Sequence, residues 1–440
     1  MYVAKPPNIE QIAQSVEPRR LVEALSAPQP SEYVHWEHLR HREPPQGLTP
    51  EEWWWSVKWR RDSMLRDLPL YDAGGDPFVY ALPDEAQRRL HYIDKQCSGM
   101  IAMPEVVIGD AQAKQHYLVN SLMEEAIRSS QLEGATTSRR VAKELLRSGR
   151  APRNRSERMI LNNYVGLQFM RDKGETLEPE TVLQLQKILT DGTLRNPDSA
   201  GRLQRPDEER IVVVDRVKGH VIHRPPPAEQ LPERLERLCK FASGEANPES
   251  FMHPVVRAIL VHFMLGYDHP FEDGNGRTAR ALFYWSMRTQ GYWLTEYLTI
   301  SKILRNAPGK YARAFLHTET DEGDTTYFLM YQLGVIERAV KYLMHYLQRK
   351  NQEIAETERR IRRSDGFNHR QLALLGEAIR NADQTYTYHS HAVSHNVTHE
   401  TSRRDLIHLQ NIGLLERKRV GKKLVFAPPL DLSHRLKHVA

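Results

Sequence analysis

The sequence predicts a mainly α-helical chain with one small β-hairpin and a distinct basic module at its C-terminal end. Three observations lead there. Strand-like runs are scarce, the clear ones being 211–214, 221–223 and 424–426. Elsewhere apolar residues recur at helical spacing, as in Val255, Ile259, Leu260, Phe263 and Met264, which share one helix face. A charged helical pattern over 334–363 stops at Ser364-Asp365-Gly366, and the composition changes beyond it.

The chain has 440 residues, 40% hydrophobic and 27% charged. That is a globular composition, long enough for two to four domains at about 100–200 residues each. Its only cysteines, Cys97 and Cys239, exclude a disulfide framework and a Cys-rich zinc module. The first residues lack the apolar core of a secretory signal, and there is no run of about 18 apolar residues to span a membrane. A soluble, cytoplasmic protein without a membrane partner is expected. The formal charge of +6 permits a nucleic-acid contact without requiring one.

Taken in order, residues 1–110 read as an N-terminal helical region. It holds Trp36, Trp53, Trp54, Trp55 and Trp59 and is punctuated by Pro44, Pro45 and Pro50. The tryptophans fit a helical core or docking surface, with an aromatic ligand cage as the sharper alternative. A helix over 118–128 follows and runs into Ser129-Ser130-Gln131-Leu132-Glu133-Gly134. Ser129 and Glu133 stand at i, i+4 and face one way, and Gly134 suits a helix end. From these residues alone, this is an ordinary solvated helix terminus. Residues 211–223 form a hairpin turning at Lys218-Gly219.

The most informative stretch joins a helix over 255–266 to another over 278–289. Gly274-Asn275-Gly276 is backbone that can turn sharply and aim N–H groups at an anion, where the next helix begins with its positive dipole end. Arg277 and Arg280 lie three apart and add fixed positive charge. Asp273 offers a hard oxygen suited to Mg²⁺ held against phosphates. His269 can take a proton near neutral pH. Together they describe a polyphosphate site with a metal and a base.

The twelve residues from His269 to Arg280 fill every fixed position of H-P-F-x-[DE]-G-N-G-R-x-x-R. This is the signature of the Fic family (filamentation induced by cAMP), which the chain resembles over roughly residues 110–350. Flanking stretches at 251–263, 222–229 and 310–315 carry the likeness further. The resemblance implies a Fic helical bundle over 111–350, with the hairpin as its flap. It implies transfer of AMP from ATP to a Ser, Thr or Tyr hydroxyl of a target protein or of the chain itself. His269 would take the hydroxyl proton, and Asp273 would hold Mg²⁺ on the α- and β-phosphates. Gly274, Asn275 and Gly276 would cradle the phosphates, with Arg277 neutralising their charge and Arg280 reaching the γ-phosphate. Ser129, Glu133 and Gly134 resemble the family's inhibitory motif [ST]-x-x-x-E-[GN], in which Glu133 would pair with Arg280 and misalign the nucleotide. The same glutamate could instead position water to remove AMP, so a de-AMPylase, or transfer of another phosphorylated group, stays open. The flap's edge would pair with a target backbone, near Ile222 and His223. A homodimer is implied by resemblance alone.

Residues 367–440 carry eleven Lys and Arg against six Asp and Glu, so +5 of the whole charge sits here. They read as helices over 368–380, 389–396 and 398–411, then two short strands. Thr398 fits an N-cap. The pattern resembles a winged helix-turn-helix, with Arg403, Arg404, Lys422 and Lys423 as DNA contacts. Protein docking is the competing reading of this module, and a nucleotide-sensing DNA-binding regulator is the competing reading of the whole chain. Eight of the 20 histidines fall in this segment without metal-ligand spacing.

Overall fold

A computed structural model describes residues 3–45, 47–98, 111–214, 219, 221–246, 250–363, 366–380, 384–420, 423–429 and 431–439. In chain order the helices are α1 Ile9–Ser15, α2 Pro18–Ser26, α3 Trp36–Leu39, α4 Pro50–Asp62, α5 Asp84–Cys97, α6 Ala111–Leu132, α7 Arg139–Ser148, α8 Arg155–Arg171, α9 Pro179–Thr190, α10 Leu231–Ala242, α11 Pro254–Asp268, α12 Asn275–Thr289, α13 Ile300–Asn306, α14 Pro308–Thr320, α15 Thr326–Arg363, α16 His369–Arg380, α17 Tyr388–His395, α18 His399–Asn411 and α19 Leu432–Val439. Three antiparallel two-stranded sheets complete the described fold: β1 Arg66–Tyr71 with β2 Pro77–Tyr80, β3 Val213–Val214 with β4 Val221–His223, and β5 Glu416–Val420 with β6 Lys423–Ala427. The mainly helical class holds. No helix among the described residues is long and apolar enough to cross a membrane.

The described residues form two compact units. One holds the chain up to residue 98 with Asn120–Val340, and the other holds 111–119 with Lys341 onward. At the centre of the first unit runs α11, buried on nearly all sides from Val255 to Leu265. A helix that is apolar all round belongs in a core. It packs most heavily against α12.

The N-terminal residues, set apart by composition, belong to this first unit. Lys58 pairs with Asp321 at 2.8 Å, Tyr33 donates to Asp324 at 2.6 Å, and Arg61 donates to the Tyr327 hydroxyl at 3.0 Å. Trp36, Trp53, Trp54 and Trp55 lie in a buried apolar cluster, as core residues, while Trp59 is exposed. The region is also not wholly helical. The hairpin β1–β2 has no clean sequence signal because charged Arg66 and Asp67 open it and Pro69 interrupts it. Its core side is set by buried Leu68 and Leu70.

The predicted helix over 334–363 begins earlier, at Thr326, and the one over 278–289 begins at Asn275. The first flap strand is shorter than expected, and its turn residue Lys218 lies outside the described residues, as does the break at Ser364-Asp365. In the second unit α16, α17 and α18 enclose Leu374, Leu375, Leu406, Leu409 and Phe426. Thr398 caps α18 by accepting the Thr401 N–H, as the sequence suggests.

Candidate functional site

The site is the turn between α11 and α12. Helix α11 ends on His269, whose backbone is left-handed (φ 44°) while its N–H still bonds Leu265 O at 3.1 Å. A non-glycine in this region is uncommon and sits where tertiary contacts hold it. Here Arg210 supplies them, donating to Asp268 O at 2.5 Å and His269 O at 3.0 Å. These are carbonyls at a helix end, where a cation is favoured. Gly274 then turns with φ 92° and caps α12, and a Cβ there would meet Thr190.

Asn275 braces the loop. Its Oδ1 accepts the Phe271 N–H at 2.9 Å and its Nδ2 donates to Phe271 O at 2.8 Å. Both side-chain atoms are thus used inside the protein, so only its backbone can face an anion. Gln186 of α9 holds the other side, donating to Asp273 O at 3.1 Å. Phe271 is fully buried, an apolar anchor.

The His269 ring lies 3.4 Å from Gly266 O through Nδ1. A carbonyl only accepts, so Nδ1 carries the hydrogen and Nε2 keeps its lone pair. The ring keeps part of its surface open, yet the burial around it pushes its pKa down to about 4. It is a neutral acceptor at pH 7. Asp273, about one-third exposed, accepts from Gly274 N–H at 2.6 Å, from Arg277 at 3.2 Å and from Arg155 at 3.3 Å. Arg277 is fully buried and donates to Leu189 O at 2.6 Å. It therefore backs the loop and steadies Asp273.

Arg280 is also buried, and the end of α6 closes on it. Its Nε donates to Ser129 Oγ at 2.9 Å, and its Nη2 donates to Ser129 O at 3.2 Å and Glu133 Oε1 at 2.8 Å. Gly276 has no side chain because the Glu133 carboxylate lies over it: a Cβ there would overlap Oε1. Helix α6 runs past the predicted Arg128 to Leu132, and Gly134 leaves it with φ 103°. Ser129, Glu133, Gly276 and Arg280 are thus brought together.

The flap residues part company. Ile222 is partly exposed, but His223 is buried, its Nε2 2.6 Å from Tyr267 O and its Nδ1 2.9 Å from Glu319. It fastens β4 to the end of α11, and its ring faces inward. Arg403 and Arg404 are exposed in the second unit, each near Glu400. Lys423 opens β6, and Lys422 lies outside the described residues. Arg210, Arg155, Gln186 and the buried Glu125 escaped the sequence reading, for no local pattern marks them.

The donor set suits Mg²⁺. A single carboxylate such as Asp273 is typical of a Mg²⁺ site completed by water and phosphate oxygens. Elsewhere, His35, Glu37 and His317 place ligand-type atoms within 4.8 Å of one another. His35 Nδ1 accepts the Glu37 N–H at 3.0 Å, so its hydrogen sits on Nε2 beside Thr320 Oγ1, leaving no lone pair for a metal.

Residues 176–287 match the family model described as Fic/DOC family. The chain carries a Fic domain over those residues, which include the whole loop but not Glu133. A protein adenylyltransferase Fic from Drosophila ananassae is 41% identical over 76 residues, 17% of this chain and 14% of that protein. Another from Nematostella vectensis is 26% identical over 200 residues, 44% of this chain and 43% of that protein. The chain thus spans less than half the length of either relative. A Fic family protein from Desulfovibrio desulfuricans G20 shares the fold, with a TM-score of 0.50 at 18% identity over 78% of this chain and 96% of that one.

Proposed function

We propose that the protein is an adenylyltransferase that moves AMP from ATP to a hydroxyl side chain of a target protein or of itself. The observation that carries this is the neutral, hydrogen-free Nε2 of His269 beside a braced loop and helix start. The hydroxyl oxygen bonds to the α-phosphorus, the bond from that phosphorus to the β-bridging oxygen breaks, pyrophosphate leaves, and His269 Nε2 takes the hydroxyl proton. Backbone N–H groups at Asn275 and Gly276 would face the phosphates, with Gly274 shaping the turn while its own N–H is held by Asp273; such transfer needs positioning more than covalent help. Arg277 acts from behind, through Asp273. Asp273 would hold Mg²⁺, which when bound supplies positive charge to the phosphates. Arg280 is the partner for the γ-phosphate, and Glu133 with Ser129 occupies it in the resting chain as a brake. The edge at Ile222 is where a target strand would lie, with His223 anchoring the flap.

Mass spectrometry of Glu133→Gly protein after ATP and Mg²⁺ tests the reading. An added AMP on the chain or a co-incubated protein, lost in Glu133→Gly/His269→Ala, is the expected result. Equal labelling with and without His269 would remove it from the chemistry.

We read residues 367–440 as a winged helix. Exposed Arg403 and Arg404 on α18, with exposed Arg417, Lys418 and Arg419 on β5, support a phosphate-facing surface for duplex DNA. The family resemblance also supports a homodimer.

A further inference from the structure

Helix α6 meets α12 along three rungs. Glu125 and Ser129 stand at i and i+4 on one face of α6, and Glu133, one residue past its end with its N–H still on Ser129 O, continues the row at i+8. Tyr284, Arg280 and Gly276 stand at the same spacing on α12, in reverse order. Glu133 lies over Gly276 and pairs with Arg280, and Ser129 receives two hydrogen bonds from Arg280. The third rung is Glu125, buried beside the Tyr284 hydroxyl. It accepts the Ser301 N–H at 3.2 Å and a short bond from the Ser301 hydroxyl, fixing α6 to the start of α13. Tyr284 is held there too, accepting the Ile300 N–H at 3.1 Å. Glu125 makes no Lys, Arg or His ion pair among the described residues; Ser301 supplies its hydrogen bonds, and the Arg280 charge lies near enough to favour its ionised form against the burial that opposes it.

We propose that Glu125 is a positioning residue that sets the register of the inhibitory helix and so keeps Glu133 on Arg280; this rests on the reading of Glu133 as a brake. A one-turn slide of α6 moves each side chain by about 5.4 Å, which takes Glu133 off Arg280. Both carboxylate oxygens are engaged by Ser301, from its N–H and its hydroxyl, and a helix pinned this way has one register. Glu125→Gln keeps the size but sets an amide N–H₂ against the Ser301 hydroxyl, which must then accept that bond and turn its own hydrogen away from its present partner. A buried hydroxyl hydrogen left without its acceptor loosens the rung without unfolding the core.

The test is initial rates of labelled AMP transfer by the full chain in four forms: wild type, Glu125→Gln, Glu133→Gly and the double variant. Glu125→Gln is expected to raise transfer about tenfold in the wild-type background and less than about twofold in Glu133→Gly, the non-additivity of two residues acting through one contact. Ser301→Ala, which removes the same contact from the other side, is expected to act likewise, and carries the test if Glu125→Gln fails to fold. If Glu133→Gly is activated while Glu125→Gln and Ser301→Ala match wild type, the pin is overturned and the brake stands. If Glu125→Gln lowers both backgrounds alike, Glu125 serves the fold and the proposal is overturned. If Glu133→Gly itself is no faster than wild type, the brake falls, and the pin with it.

Discussion

Removing Glu133 gives a graded, quantitative prediction. Arg280 is a fully buried guanidinium whose counter-charge in the resting chain is a carboxylate at 2.8 Å, with Ser129 supplying two neutral acceptors. A hydrogen bond to a charged partner is worth about 1.5–3 kcal/mol net. At about 1.36 kcal/mol per decade, its loss shifts Arg280 toward the substrate by about 10- to 150-fold. Glu133→Gly is therefore expected to raise the initial rate of labelled AMP transfer by that factor. Glu133→Gln keeps a neutral acceptor of about half the strength and should recover only about 4- to 12-fold. Ser129→Ala removes one neutral acceptor and should fall at or below the glutamine variant. The assay is the initial rate at saturating ATP and Mg²⁺, with pyrophosphate release measured in parallel. A flat series, or glutamine exceeding glycine, would refute the claim that the Arg280–Glu133 charge pair sets the rate.

Other expectations follow from the same geometry. His269 is held neutral with a pKa near 4, so transfer by Glu133→Gly should be level from about pH 6 to 8 and fall only as pH approaches 4; an acid limb near 6.5 in the pH–rate profile would contradict this. The unfolded chain takes that proton near 6.5, so it binds more protons between 6.5 and 4, and this group's contribution to stability falls as pH drops through that window. Asn275→Ala strips both bonds to Phe271 and should cost about 2–4 kcal/mol in denaturant unfolding together with most of the activity; a stable, active variant would show the loop braced otherwise. If the C-terminal module binds duplex DNA through phosphates, Arg403→Ala or Arg404→Ala should each reduce the salt slope of binding by about 1, read by fluorescence anisotropy over a salt series.

What the sequence displays well is whatever is written locally. The apolar stripe of α11 and the i, i+4 spacing of Ser129 and Glu133 are contained within a few residues and appear where expected, and of the expected Gly274-Asn275-Gly276 turn Gly274 makes the sharp bend. Helix ends drift where a cap decides them: α12 starts at Asn275 because Gly274 supplies a left-handed cap, which periodicity does not register. Strand β1 hides because Pro69 breaks the usual strand composition, and only its two buried leucines reveal it. The least legible roles are those completed from afar. Arg210 lies 59 positions before His269 in the chain yet holds its carbonyl. Glu125 finds Ser301 from 176 residues away. Arg277 reads in sequence as a positive charge for the phosphates, but hydrogen-bond demand in the packed interior turns its side chain to Leu189 O, just as it commits the Asn275 side chain to Phe271 and leaves that residue only its backbone.

The grip of Glu133 on Arg280 joins two parts of one polypeptide, and that changes what can undo it. A contact between separate molecules weakens on dilution, whereas a tethered group faces its partner at an effective concentration fixed by the chain itself. Neither scarcity nor abundance of the protein alters that ratio. If that grip is the brake, a cell holding a handful of copies has them as firmly restrained as one holding thousands, and control by expression level alone would scale output without ever switching it.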